Sequence, residues 1–140
     1  MKERKTVLIF DCNFLAYRSF HVFGQLKWEG QPTGVTFGVL RDIRNLTEQF
    51  QASNVVLCFD YGKNSKRAEI FPGYKRKRNE EKKKPENKEK YKGIRKEVDN
   101  LRTKIFPELG FKNIFFQDGY EADDLISVAC WNHHNNIIVS

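Results

Sequence analysis

The chain has 140 residues, of which 39% are hydrophobic and 14% aromatic, and its formal net charge is +7. This apolar content suffices for the core of one domain and excludes a disordered chain. Three cysteines without a closely spaced pair argue against a disulfide framework or a zinc cluster. The apolar run after the basic N-terminus is too short for a signal peptide or a membrane span. We therefore expect no membrane partner and a cytoplasmic location.

Hydrophobic periodicity predicts strands that alternate with helices, which is the pattern of a parallel α/β sheet with helices on its faces. Asn13 is expected to cap the first helix, and Phe50 to lie on the apolar side of the second. The predicted strands cover residues 6–10, 54–60, 113–116 and 137 onward, and the predicted helices cover residues 14–23, 33–50, 88–106 and 122–134. Residues 24–31 are predicted as a loop, and residues 61–91 as mobile or only conditionally helical.

The positive charge is concentrated in one segment. Residues 63–104 carry 17 basic and 7 acidic side chains, whereas the rest of the chain has a net charge of −3. A cationic segment beside acidic residues predicts a polyanionic substrate, although a solvated Lys/Glu-rich helix has a similar composition. Tyr17 could stack on an unpaired base or pack in the core. The basic candidates for nucleic-acid contact are Arg67, Lys75, Arg78, Lys82 and Lys83.

Acidic residues gather where predicted strands end. Asp11 and Asp60 each terminate a strand, and Glu121, Asp123 and Asp124 lie at the start of the helix after the third strand. Each acid alone is also explained as a cap or turn residue. The carboxyl ends of parallel strands meet at one edge of a sheet, where ligands bind, so we expect the five acids to converge there.

Carboxylates that converge without histidine or cysteine neighbours favour Mg²⁺ or Mn²⁺ over Zn²⁺. Two such ions about 4 Å apart can stabilise the attacking and leaving oxygens of a phosphodiester during hydrolysis. The pattern therefore indicates a metal-dependent phosphodiester hydrolase. His133 and His134 are expected to lie at the far end of the acidic helix, away from this site.

Four blocks follow one another along the sequence: Asp11 to His21, Pro32 to Gly38, Phe59-Asp60 with Arg67 to Pro72, Tyr74, Lys75 and Arg78, and Gly119 to Asp124. Together they resemble the 5′–3′ exonuclease and flap endonuclease family, which includes phage 5′-nucleases and the N-terminal nuclease domain of bacterial DNA polymerase I. The resemblance implies a PIN-like fold with a basic helical arch at about residues 63–92, here called the basic arch. Single-stranded 5′ ends or flaps of DNA would pass under this arch, and the RNA strand of an RNA–DNA hybrid is a further substrate that the resemblance implies. Since these relatives are bacterial and phage proteins, the resemblance implies that the expected cytoplasm is that of a bacterium or of a phage-infected host.

The resemblance also implies roles for the residues. Lys75 and Arg78 would hold the scissile phosphate, Arg67 would support them, and Tyr17 would stack on the terminal base. The implied metal ligands, direct or through water, are Asp11, Asp60, Glu121, Asp123 and Asp124.

The sequence departs from the family pattern in two places. Cys12 stands where the family usually has glycine. The sequence ends at Ser140, where the family continues into a further aspartate pair and a helix–hairpin–helix element, so we expect one PIN-like domain over residues 1–140 with an incomplete second metal position. Three hypotheses remain open. The first is a 5′-nuclease. The second is a nucleic-acid-binding fragment, which is either inert or half of a split nuclease that pairs with a separately encoded C-terminal half. A PIN-type ribonuclease is the third.

Overall fold

The computed structural model describes residues 5–63, 65–132 and 135–140, so the prediction for His133 and His134 lies outside the described residues. The strands are β1 (Val7–Asp11), β2 (Lys27–Trp28), β3 (Gln31–Pro32), β4 (Asn54–Cys58), β5 (Ile114–Phe115) and β6 (Asn136–Val139). The helices are α1 (Cys12–Phe23), α2 (Gly34–Gln49), α3 (Ser65–Ile70), α4 (Arg76–Lys83), α5 (Pro85–Asn100), α6 (Phe106–Glu108) and α7 (Ala122–Asn132). A π-helical segment, Leu101–Ile105, joins α5 to α6.

Four parallel strands form the central sheet in the order β5-β4-β1-β6. β1 lies in the middle, pairing with β4 from Val7 opposite Asn54 to Asp11 opposite Cys58. Side chains alternate between the two faces of a strand, and β1 is apolar at every position before Asp11, so it can be buried on both sides. The predicted α/β class with a parallel sheet is confirmed.

The two faces of the sheet carry different helices. Leu8 and Phe10 belong to the larger core, which includes buried residues of α1, α2 and α5. Val7 and Ile9 belong to a smaller core with buried residues of α7. Leu8, Ile9 and Phe10 are fully buried. This arrangement leaves the carboxyl ends of β1 and β4 at the edge where α1 and α7 begin.

Helices α1 and α2 pack closely because small residues face α1. A side chain at Gly38 would place its Cβ 2.4 Å from the Ser19 hydroxyl, and one at Gly34 would meet the backbone of Phe23 at 1.8 Å. The predicted apolar side of α2 is buried at Val35, Val39 and Ile43. Phe50 lies just beyond the helix and is exposed, so its expected place on the buried side is wrong.

The first turn of α2 is stabilised by a side chain from another helix. Its N-cap residue, Thr33, makes no side-chain capping bond. Instead, the backbone N–H and the hydroxyl of Thr36 donate hydrogen bonds to Glu97 Oε1 on α5, at 3.1 and 3.0 Å. Glu97 is 9% exposed and lies between the buried residues Ile94 and Val98. A buried carboxylate in that position requires such donors, and the contact fixes α5 against α2.

Two predicted loops contain regular structure. Residues 24–31 contain β2 and the first residue of β3, which pair in an antiparallel hairpin with Glu29 and Gly30 at positive φ in the turn. A glutamate at the first of these positions is unusual for a hairpin turn, so these residues carry little sequence signal for a hairpin. Residues 61–91, predicted as mobile or conditionally helical, contain α3, α4 and the start of α5. Pro85 begins α5, because a missing N–H is harmless in the first turn.

In the described part of the chain, no helix combines the length and apolar character that crossing a membrane requires.

Candidate active site at the carboxyl edge of the sheet

Asp11 ends β1 and caps α1. Its Oδ1 accepts a hydrogen bond from the backbone N–H of Phe14 at 3.0 Å, so the prediction that Asn13 caps this helix is wrong. Burial raises the pKa of Asp11 to about 6; the hydrogen bond from Phe14 opposes the shift, and the negative charges of Asp60 and Asp123 add to it. The carboxyl group therefore faces two other acids in a partly desolvated place.

Asp60 links the end of β4 to the start of α7. Its Oδ1 accepts a hydrogen bond of 2.7 Å from the backbone N–H of Ala122, the first residue of α7. The backbone N–H of Asp60 donates to Asn13 Oδ1 at 3.0 Å. The side chain of Asn13 thus connects the first acidic segment to the second, a role that its sequence position did not reveal.

The segments that carry Asp60 and Glu121 are bonded to each other. The N–H of Tyr61 donates to the carbonyl of Tyr120 at 3.3 Å, and the N–H of Gly119 donates to the carbonyl of Tyr61 at 3.2 Å. Gly62 has φ +72°, and a Cβ there would lie 1.8 Å from Asp118 Oδ1. The positive φ favours glycine at this position, because other residues rarely adopt it.

Glu121 and Asp124 are neutralised by cations of the basic arch. Arg67 Nη1 contacts Glu121 Oε2 and Arg67 Nη2 contacts Asp124 Oδ1, both at 2.6 Å. Lys75 Nζ binds Glu121 Oε1, and the Tyr74 hydroxyl donates to Glu121 Oε2 at 3.0 Å. Glu121 is 7% exposed, so these partners compensate a charge that is largely removed from water.

The structure therefore brings the five predicted acids to one edge in two groups. Asp11, Asp60 and Asp123 are close enough for their charges to interact, and the described residues provide no ion pair to them within 4.0 Å. Glu121 and Asp124 are paired. Among residues 5–63, 65–132 and 135–140, no three His, Cys, Asp or Glu side chains form a group that could hold a metal ion as arranged.

The donor chemistry nevertheless fits a hard cation. Asp11, Asp60 and Asp123 offer only carboxylate oxygens, which are the ligands that hard cations prefer. Repulsion from the other two acids also helps to raise the pKa of Asp11. A divalent ion would relieve that repulsion. It would be held by Asp11, Asp60 and Asp123, while Glu121 becomes available only when Lys75 and Arg67 release it.

The basic arch contacts the core through aromatic rings. Lys82 Nζ lies 5.8 Å from the ring centroid of Tyr17 and 5.5 Å from that of Tyr91, and these two rings are 6.0 Å apart. Burial lowers the pKa of Lys82, with further lowering by Arg78 and Lys75. Tyr17 is thus covered by α4. Arg78 and Lys83 are exposed and belong to the solvent-facing part of the arch.

Sequence reasoning missed Tyr91 and Arg102. Arg102 packs against three aromatic rings next to Asp60, and Tyr91 pairs with Tyr17. Both side chains contact residues that are distant in sequence. Hydrophobic periodicity predicts local structure only and does not predict such contacts. Glu97 was also missed, although a carboxylate on the apolar side of a helix is a signal that could have found it.

Comparison with known proteins agrees with this architecture. The family model for the "5′-3′ exonuclease, N-terminal resolvase-like domain" matches residues 6–140. The 5′-3′ exonuclease of Buchnera aphidicola subsp. Schizaphis graminum is 30% identical over 126 residues, and that of Bacillus subtilis is 32% identical over 131 residues. These matches cover 89% and 90% of this chain and 40% of each relative. DNA polymerase I of Bacillus subtilis is 32% identical over 127 residues, which cover 90% of this chain and 13% of the polymerase.

Solved structures show the same fold. The 5′-exonuclease of bacteriophage T5, solved with divalent zinc ions, superposes with a TM-score of 0.76 at 20% identity, covering 97% of this chain and 49% of that one. A flap endonuclease of the same phage, solved as a pseudo-enzyme-product complex with DNA and metal ions, gives 0.72 at 20% identity, covering 97% and 48%. The chain spans about half or less of the length of the relatives it matches. By its sequence, across nearly its whole length, the chain belongs to the 5′-3′ exonuclease family and corresponds to the N-terminal resolvase-like domain.

Proposed function

We propose that this chain is the nuclease part of a divalent-metal-dependent 5′-3′ exonuclease or flap endonuclease that hydrolyses phosphodiester bonds at 5′ ends or flaps of DNA. One observation carries the proposal: Asp11, Asp60 and Asp123, from three separate segments, interact electrostatically at the carboxyl edge of the sheet without a cationic partner among the described residues. Asp60 and Asp123 are exposed and Asp11 is half-buried, so a cation from solvent can reach all three. Carboxylates that repel each other at a ligand-binding edge suit such a cation.

The proposed cofactors are Mg²⁺ or Mn²⁺, held by Asp11, Asp60 and Asp123, with Glu121 and Asp124 as further ligands or water contacts. When bound, such ions activate a water molecule and stabilise the charge that develops on a phosphodiester. Asp11 and Asp60 also act as helix caps. These hydrogen bonds hold the two carboxylates at the starts of α1 and α7, although the acids of the described residues do not form a metal-binding group as arranged.

Nucleic-acid binding is assigned to the basic arch and Tyr17. Lys75 and Arg67 contact Glu121 and Asp124 in this structure, so we infer that a phosphate and these acids compete for the same cations. Arg78, Lys82 and Lys83 extend the positive surface along α4. Tyr17 becomes available for stacking when Lys82 moves off its ring.

A labelled 5′-flap DNA substrate, incubated with the 140-residue chain and Mn²⁺, tests the proposal. We expect cleavage that Asp11→Asn abolishes and that Glu48→Gln, an exposed surface control on α2, leaves unchanged. A matched RNA flap and an RNA–DNA hybrid in the same assay determine substrate class; a preference for RNA would favour a PIN-type ribonuclease. Cleavage that persists in Asp11→Asn would refute the assignment of the acids.

A second candidate function is binding without cleavage, either alone or together with a separately encoded C-terminal half. The observation that favours it is the pairing of Glu121 and Asp124 with Arg67 and Lys75, which leaves three acids rather than five for cations. Tight flap binding without product, in Mg²⁺ and in Mn²⁺, would support this candidate and refute nuclease activity of the chain alone. We infer a cytoplasmic location, consistent with three free cysteines.

A further inference from the structure

The side chain of Arg102 is packed among aromatic rings directly behind the acidic site. Its guanidinium carbon lies 4.8 Å from the ring centroid of Tyr61, 5.1 Å from that of Phe116 and 6.0 Å from that of Phe59. The side chain is 9% exposed. These three rings flank the two segments that carry Asp60 and the acids at the start of α7.

The polar contacts of Arg102 do not explain its burial. One guanidinium nitrogen, Nη2, pairs with Asp99 at 2.9 Å, but Asp99 itself is half exposed. The Nε atom is buried and has no hydrogen-bond partner among the described residues. An unsatisfied buried donor destabilises a fold, so a residue that serves only packing at this position is better made apolar. Arg102 also lies in the π-helical segment, and such segments often mark functional sites.

The rings that Arg102 contacts belong to residues that hold the site together. Phe59 and Tyr61 are the neighbours of Asp60 in the chain, and the Phe59 N–H donates to the Phe115 carbonyl at 3.0 Å. Tyr61 and Phe116 are themselves in contact, with ring centroids 5.1 Å apart. The guanidinium therefore touches a residue on each side of Asp60 and one on the facing segment.

We propose that Arg102 is a positioning residue for Asp60: its guanidinium, held against Phe59, Tyr61 and Phe116, fixes residues 59–62 against residues 115–121 and so sets the place of the Asp60 carboxylate. The force is cation–π attraction in a poorly solvated place, which is stronger there than at the surface. Arg102 does not touch a cation or a substrate. The inference rests on the proposed function, because it concerns the carboxylate that would hold the ion.

Amide hydrogen exchange tests the positioning without any metal. The N–H groups of Tyr61 and Gly119 make the bonds between the two segments, and the N–H of Leu57, which donates to Asn113, serves as a reference in the sheet. In Arg102→Leu, we expect the first two amides to exchange about tenfold faster relative to the reference. A purely structural role would accelerate all three amides alike.

Two further variants separate charge from packing. Arg102→Lys keeps a cation above the rings and is expected to recover at least half of the lost protection on a logarithmic scale. Arg44→Leu removes an exposed arginine that pairs with Glu48 and should leave every amide near Tyr61 unchanged. Equal loss in the Lys and Leu variants of Arg102, or unchanged exchange at Tyr61 and Gly119, would overturn the proposal.

Titration with Mn²⁺, followed by calorimetry under conditions where all variants are folded, tests the consequence for the site. We expect Arg102→Leu to bind Mn²⁺ about tenfold more weakly than the wild type, as weakened positioning behind metal ligands typically does. Equal affinity of the two would overturn the role of Arg102. Absence of Mn²⁺ binding to the wild type would instead refute the proposed function, so the two failures are distinguishable.

Discussion

Replacing Asp11 with asparagine should stabilise the metal-free chain at neutral pH, although it removes a proposed metal ligand. Burial raises the pKa of Asp11 from 3.8 to about 6, so its ionised form is disfavoured in the folded state. A shift of this size corresponds to at most about 3 kcal/mol of unfolding free energy. Because Asp11 is only partly buried, solvent screening reduces the expected gain to about 1–2 kcal/mol. Asparagine keeps the oxygen that can accept the Phe14 hydrogen bond.

The predicted gain depends on pH. Between pH 3.8 and about 6, the folded chain binds more protons at Asp11 than the unfolded chain does, so wild-type stability falls as the pH rises through this window. Above it, Asp11 is ionised in both states and the full penalty remains. Near pH 4 the carboxyl group is largely neutral in the folded state, and the advantage of asparagine should fall below about 0.5 kcal/mol.

Urea unfolding in the presence of EDTA, at about pH 7.5 and about pH 4, measures both values. Glu48→Gln is the matched control, because it removes one negative charge from an exposed i,i+4 pair and should change stability by less than about 0.5 kcal/mol. Adding Mn²⁺ should then stabilise the wild type more than Asp11→Asn, since only the wild type retains the full set of acids. An Asp11→Asn chain no more stable than wild type at about pH 7.5 would refute the reasoning.

Three further predictions concern the contacts of the basic arch and of α5. Glu97→Ala leaves the N–H and the hydroxyl of Thr36 without their acceptor. We expect urea unfolding to show that the free energy of unfolding falls by about 1–3 kcal/mol, and a fall of less than about 0.5 kcal/mol would contradict this prediction. Lys75→Ala should weaken binding to DNA of every sequence, because it removes a phosphate contact, and it also leaves Glu121 with fewer partners. In fluorescence anisotropy, we expect the slope of log affinity against log salt concentration to fall in magnitude by about one unit. An unchanged slope would show that Lys75 does not contact a phosphate. Tyr17→Ala should weaken the binding of single-stranded 5′ ends by about 1–3 kcal/mol, because it removes the ring on which a base would stack. Tyr17→Phe keeps the ring and should bind as the wild type does. Equal binding by the two variants would exclude stacking.

The sequence was sufficient to predict the parallel sheet and the edge of the sheet at which the acidic residues lie. Continuous apolar runs identified β1 and β4, because both are buried on two faces, and the aspartates at their ends follow from strand direction alone. The start of α7 followed from Gly119 and the helical spacing after Asp124. These are local signals, and each is determined by residues within about ten positions of it.

The sequence was insufficient where contacts between distant segments decide the structure. Asp11 rather than Asn13 caps α1, and the Asn13 side chain accepts a hydrogen bond from the backbone N–H of Asp60, 47 positions away. Similarly, the pairing of Lys75 with Glu121 joins residues 46 positions apart. No periodicity encodes either contact, so the sequence did not predict that Lys75, which is proposed to hold a phosphate, lies against Glu121 in this structure.

Helix α5 belongs to both the basic arch and the core. It begins at Pro85, follows α4 after the single extended residue Lys84, and continues without a break until Glu97 and Val98 are buried against α2 and the sheet. The breaks in helical structure on either side of α4 are Lys84 and the residues between Ile70 and Arg76, whereas α5 has none. On the proposed function, a DNA end that binds between the basic arch and the core would contact α5, which is anchored in the core, on one side, and α4, which has no buried residue, on the other.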